Sequence, residues 1–242
     1  MSSSVARRRD RATLIVVLAA ITLVSWTWIV VMARDMYGPM TGASAWMMTA
    51  HWDAPHLLLL WAMWAVMMTA MMLPSAAPMV LLARKHAYAL ALGYVCVWAL
   101  FSIAATGLQW VLGHTFAITP MMEASSATVS AVFLLIAGVY QWTPLKEACL
   151  STCQSPMAFL ARRWRSGAAG AFRMGAEHGV YCVGCCWALM LLLFAGGVMN
   201  LWVIAALTVF VGFEKLMPGG RVAARVSGVL LVATAVWLLA TA

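Results

Sequence analysis

An all-α, polytopic transmembrane helical bundle is the fold class this sequence predicts, and three observations lead to it. Of 242 residues, 65% are hydrophobic and only 9% charged, whereas soluble domains carry about a quarter charged residues. Seven apolar stretches approach the roughly 20 residues a helix needs to cross a bilayer. They fall at approximately 12–33, 57–83, 87–112, 126–144, 178–198, 200–214 and 224–241, the sixth being the shortest. With the N-terminus inside, fourteen of the fifteen Lys and Arg fall on inner connections, leaving only Arg34 outside. Such a bias sets the orientation of membrane helices, so the expected topology is N-in and C-out. The net charge of +8 therefore reads as membrane topology, and a nucleic-acid surface is excluded. One integral membrane domain over 1–242 is expected, with a polar excursion outside at 34–56 and an inner loop at 145–177.

The first apolar run is long enough to span, and no small-residue cleavage site clearly follows it, so it is expected to remain as a helix. Outside comes HWDAPH, with His51, Asp53 and His56, preceded by Met36, Met40, Met47 and Met48. An external His/Asp/Met set suits metal capture; its spacing matches no strict motif. Histidines at headgroup level beside the interfacial Trp46, Trp52 and Trp61 are the simpler reading.

The second helix contains WAMWAVMMTAMMLPSAAPMVLLARKH. At about 100° per residue, Met68, Met72, Ser75 and Met79 share one narrow stripe. Pro74 and Pro78 each remove a backbone donor and crowd an earlier carbonyl, which a helix in lipid tolerates where protein, water or a ligand satisfies the freed groups. The inner half of this helix is therefore expected to face a site or a close helix contact. Methionine packing accounts for the stripe equally well. His86, His114 and Glu123 are read as loop residues.

In the fifth helix, EHGVYCVGCCWALM places His178, Cys182, Cys185 and Cys186 within an arc of about 100°. Spacings of three and four residues bring neighbours onto consecutive turns. His178 and Cys186 lie about 12 Å apart along the axis, so one ion reaches two or three of the four. Met72 and Met79 of the facing helix, and Glu177 and Glu214 as charge-balancing or proton-carrying groups, complete the expected set. Cys96, Cys149 and Cys153 also belong to the inner half. Glu214 near membrane depth is a functional candidate by default, although pairing with the adjacent Lys215 explains it almost as well.

Thiolate, thioether and imidazole donors select soft or borderline metals, Cu(I) before Zn. Calcium and magnesium want several oxygen ligands, and haem attachment through C-x-x-C-H is absent, because Cys186 follows Cys185. Three readings stay open: metal binding, thiol redox chemistry through the C-x-x-C of Cys182 and Cys185, and plain burial of small hydrophobes.

WAVMMTAMMLPSAAPMV (64–80) and EHGVYCVGCCWALMLLLFAGGVMNLWV (177–203), followed by Glu214-Lys215, together resemble a bacterial family described as predicted metal-binding integral membrane proteins. The resemblance covers about residues 57 to 220. It implies a multi-helix membrane protein with a metal site and brings no established reaction, so no catalytic set is assigned. The expected function is binding of a soft transition metal, Cu(I) before Zn, in transport, delivery or homeostasis at the bacterial inner membrane. Lipids, the metal and a membrane or metal-delivery protein are the expected partners. A membrane thiol–disulfide oxidoreductase and a structural or assembly subunit are the alternatives.

Overall fold

The computed structural model describes residues 2–38, 40, 45, 47 and 52–241, without the side chains of 2–8 and of Arg84. His51, Trp46 and Met48 lie outside the described residues. The fold is all-helical, and no strand occurs among the described residues.

The first helix, α1, runs Ser2–Met36. The next, α2 (Ala54–Leu82), starts where the Asp53 carboxylate accepts a hydrogen bond from the His56 N–H at 2.9 Å. Asp53 therefore serves as a helix cap, satisfying a backbone donor that helix starts leave unpaired. Helix α2 continues through Pro74 and Pro78 to Leu82. A 3-10 turn at Arg84–His86 leads into α3, Ala87–His114.

The fourth predicted span divides. Helix α4 is Ala127–Tyr140, and α5, Pro144–Cys153, leaves it at an angle of 69°. Residues 145–177, expected as a loop, are mostly helical: α5 is followed by α6, Pro156–Arg163, and by α7, Gly167–Met190. The physical reason lies at the starts. Thr143 accepts from the Lys146 N–H, and Pro144 and Pro156 sit in first turns, where a missing N–H costs nothing. The fifth predicted span, 178–198, accordingly begins earlier, at Gly167.

A short α8 (Leu192–Gly196) ends at Gly197, whose φ of 94° suits glycine. Helix α9, Leu201–Leu216, is capped by the Asn200 side chain, and α10, Gly220–Thr241, closes the fold. Among the described residues, five helical stretches are long and apolar enough to cross a membrane, and six if the bent α4–α5 pair counts as one. Helix α9 has 16 residues, so it rises about 24 Å against a hydrocarbon core of about 30 Å. Helices α1 and α10 turn many apolar side chains outward, including Val16, Leu23, Val24, Val229 and Trp237. Such faces are compatible with insertion into lipid.

Helix α7 packs most extensively on α3, and glycine makes the approach close. A Cβ on Gly175 would collide with the Leu90 carbonyl, and one on Gly93 with the Phe172 carbonyl. Gly175 and Gly179 form a small-xxx-small pair of the kind that lets membrane helices touch backbone to backbone. This contact sets Tyr94 of α3 against Cys182 of α7. On the other side of α7, Gly184 gives room to α5, since a Cβ there would stand 2.7 Å from the Cys149 sulfur.

Candidate metal centre

The cysteine arc of α7 faces inward, with Cys182, Cys185 and Cys186 all buried. Helical spacing arranges them locally. The Cys185 and Cys186 thiols both donate to the Cys182 carbonyl, at 3.1 and 2.9 Å. This leaves the Cys182 sulfur free to point at other helices. It lies 2.9 Å from the Tyr94 hydroxyl of α3 and accepts from the Lys215 ammonium of α9 at 2.8 Å.

Lys215 marks the centre of the cluster. Its Nζ is also 3.8 Å from the Cys186 sulfur and 3.7 Å from the Met72 thioether of α2. Two thiols and a thioether from two helices therefore surround one buried ammonium carried by a third. The Met72 carbonyl accepts from Ser75 Oγ at 2.8 Å and from the Tyr94 hydroxyl at 3.1 Å. These bonds anchor α2 within its proline-interrupted stretch, and Tyr94 ties it to the cysteine helix. Cys185 turns toward α5 instead, where its sulfur is 4.0 Å from that of Cys153. All six cysteines are free thiols.

The remaining predicted residues divide between those near this cluster and those apart from it. His178, one turn before Cys182 on the same face, is buried against Tyr94 and Phe159, with ring centroids at 5.9 and 5.4 Å. Its Nδ1 has no hydrogen-bond partner. A buried polar atom without a partner is costly, and this nitrogen is one of the few such atoms among the described residues. Met79 lies in a separate cluster with Leu14, Leu18, Phe159 and Met174, while Met72 and the three cysteines of α7 share the main core. Cys96 is half-buried and stays out of the cluster.

The two carboxylates have other partners. Glu177 is held by Arg165 at 2.8 Å, Arg163 at 3.5 Å and Arg173 at 3.6 Å. Glu214 does not pair with Lys215, contrary to the local expectation. Its Oε2 meets Lys146 of α5 at 2.7 Å, in a pair only 1% and 0% exposed, and Gln141 donates to its Oε1 at 3.3 Å. The physical reason is that sequence neighbours on a helix diverge by about 100°. Glu214 turns to α5 and Lys215 to α7.

Of the outer set, His56 stacks on Trp52 with centroids 5.2 Å apart, and His114 approaches the same indole at 5.6 Å. Asp53 is occupied as the cap of α2. Tyr94 of α3, Lys146 of α5 and the central position of Lys215 in α9 were missed by sequence reasoning, since no period links residues on different helices; Cys153, expected in the inner half, approaches Cys185 from α5.

Among the described residues, no three His, Cys, Asp or Glu side chains are gathered to hold a metal ion by themselves. The donors that converge are of mixed type, Cys182, Cys186 and Met72. Sulfur of both kinds is the chemistry that selects Cu(I).

Residues 61–238 match the family model described as "PpoB2: Copper chaperone". No curated protein and no solved structure matches the chain.

Proposed function

Because this chain belongs to the PpoB2 copper chaperone family, we propose that it is an integral membrane protein that binds Cu(I) in the sulfur pocket and passes it to a partner. Copper is cargo in this reading, and Zn(II) is the weaker competitor. One observation carries the proposal: Cys182, Cys186 and Met72 direct three sulfur atoms at one buried point, which Lys215 Nζ marks. Loading requires the thiols to lose their protons as the metal arrives. The soft thioether adds affinity for Cu(I) without adding charge.

His178 and Cys185 flank the pocket and supply alternative donors during transfer. Ligand exchange with a protein presenting thiolate or thioether groups would move the ion by substituting one sulfur at a time. Met79, Glu177 and Glu214 act outside the first set of donors in this scheme: Met79 in packing, Glu177 in a surface arginine cluster, Glu214 as the counter-ion of Lys146. The long apolar helices support insertion in a bacterial inner membrane, and the inner bias of Lys and Arg supports an N-in, C-out chain in which the shorter α4 and α9 also cross.

The test is copper stoichiometry on the full chain purified in detergent. Wild type is expected to retain about one Cu(I) against a mild chelator, and the Cys182→Ser/Cys186→Ser variant to lose it. Wild type that remains metal-free after loading would contradict the proposal.

The 4.0 Å approach of the Cys153 and Cys185 sulfurs favours a second reading, thiol–disulfide exchange. Thiol trapping in cells decides it: a chain in which these two thiols never pair rules that reading out.

A further inference from the structure

A buried lysine head group in the middle of a proposed cation site calls for an explanation. Lys215 is buried, and its ammonium touches Cys182, Cys186 and Met72 at 2.8, 3.8 and 3.7 Å. A buried ammonium without a compensating anion is costly, and the one carboxylate beside it in sequence is already committed. Glu214 pairs with Lys146 at 2.7 Å, so those two charges cancel. The other polar group facing the sulfurs is the neutral Tyr94 hydroxyl. The atoms in closest contact with the Lys215 ammonium are thus those of the sulfur pocket.

We propose that Lys215 determines the specificity of this pocket by charge: its ammonium occupies the space between the three sulfurs in the metal-free chain, and a monovalent ion replaces it there where a divalent ion does not. This inference rests on the copper-binding reading above. Two thiolates with Cu(I) carry a net charge of −1, and a displaced but still protonated Lys215 beside them brings the site to zero. The same two thiolates with Zn(II) sum to zero, and Lys215 then leaves an uncompensated +1 in the interior. Met72 is neutral in both cases. One excess unit charge at about 4 Å, at an effective dielectric of about 20, changes affinity by roughly three orders of magnitude. The long, flexible lysine stem lets the head group move aside while the α9 backbone stays in place.

The role is one of positioning and selectivity, and its readout is a ratio. Cu(I) affinity would be measured by chelator competition and Zn(II) affinity by a chromophoric indicator, on detergent-purified full chain. Lys215→Leu removes the charge without adding a donor atom to the pocket. It is expected to shift the Cu(I)-to-Zn(II) affinity ratio toward zinc by at least about tenfold, the bound of roughly a thousandfold holding for full burial. Lys215→Arg keeps the charge and is expected to restore the wild-type preference. A shift below tenfold in Lys215→Leu overturns the inference. So does wild type that binds Zn(II) as tightly as Cu(I), a result that needs no variant to fold. If wild type and Lys215→Leu bind Cu(I) and show the same Cu(I)-to-Zn(II) ratio, only the selectivity role falls. If wild type takes no Cu(I), both readings fall.

Discussion

Removing Lys146 while keeping its volume, as Lys146→Met, is expected to destabilise the bundle severely, and the structure sets the scale. The Lys146–Glu214 pair has a separation of 2.7 Å and is almost fully buried. At an effective dielectric of about 20, Coulomb's law gives about 6 kcal/mol of attraction at that distance. Desolvation of both ions offsets much of this, so the pair itself adds little net stability. Deleting one partner is different, because it strands a buried carboxylate at a cost of about 3–5 kcal/mol. Gln141 still donates to Glu214 at 3.3 Å, and a chain unfolded within a micelle finds other partners. Both effects favour the lower end, about 3 kcal/mol.

The assay is reversible unfolding in mixed detergent micelles, followed by the fluorescence of the thirteen tryptophans. The double variant Lys146→Met/Glu214→Leu removes both charges and is expected to recover most of the loss. A double variant as unstable as the sum of its single variants would refute the reasoning, as would a Lys146→Met chain within about 0.5 kcal/mol of wild type.

Two other predictions concern the helix contact and the outer surface. Gly175→Ala places a Cβ against the Leu90 carbonyl. Backbone on both sides cannot yield, so at least about 2 kcal/mol should be lost. Gly107→Ala, which meets nothing within 4 Å, should be neutral or stabilising by up to about 1 kcal/mol; equal effects at the two positions would deny the close α3–α7 contact. Tyr37 lies just past α1, donating to Glu123 at 2.9 Å; burial, and then this hydrogen bond, push its pKa up to about 12. The unfolded phenol titrates near about 10, so the stability from this contact is complete below that value. It is lost as pH rises through the folded pKa. The tyrosinate absorbance difference between wild type and Tyr37→Phe should therefore appear near about 12, and move part of the way down in Glu123→Gln; a midpoint near about 10 would disprove the contact.

How much of this was legible in the sequence differs from one residue to the next. That Cys182, Cys185 and Cys186 share one arc follows from helical spacing alone, whereas setting Met72 opposite them needed the topology of the two helices as well. The same ideal stripe also selects Met79. There α1 and α6 cover the inner end of α2 with Leu14, Leu18 and Phe159, a tertiary fact that no single-helix projection contains. The Glu214–Lys215 pairing seemed natural from adjacency, but helix geometry sends neighbours in different directions. That rule was available from sequence; the identity of the actual partners, Lys146 and Cys182, was not. The helices within 145–177 did carry a local signal, in Thr143-Pro144 and Ser155-Pro156, which polar composition masked. Tyr94 became part of the site only through Gly175 and Gly179, because their lack of side chains sets the depth at which α3 meets α7.

The most direct measurement is X-ray absorption at the copper edge on the Cu(I)-loaded full chain, compared between wild type and Met72→Leu. An all-sulfur first shell at about 2.3 Å is expected in wild type, by analogy with the zinc–thiolate distance. One longer, weaker thioether contribution should disappear in Met72→Leu. A first shell dominated by nitrogen or oxygen, or a spectrum unchanged by losing Cys182 and Cys186, would contradict that expectation.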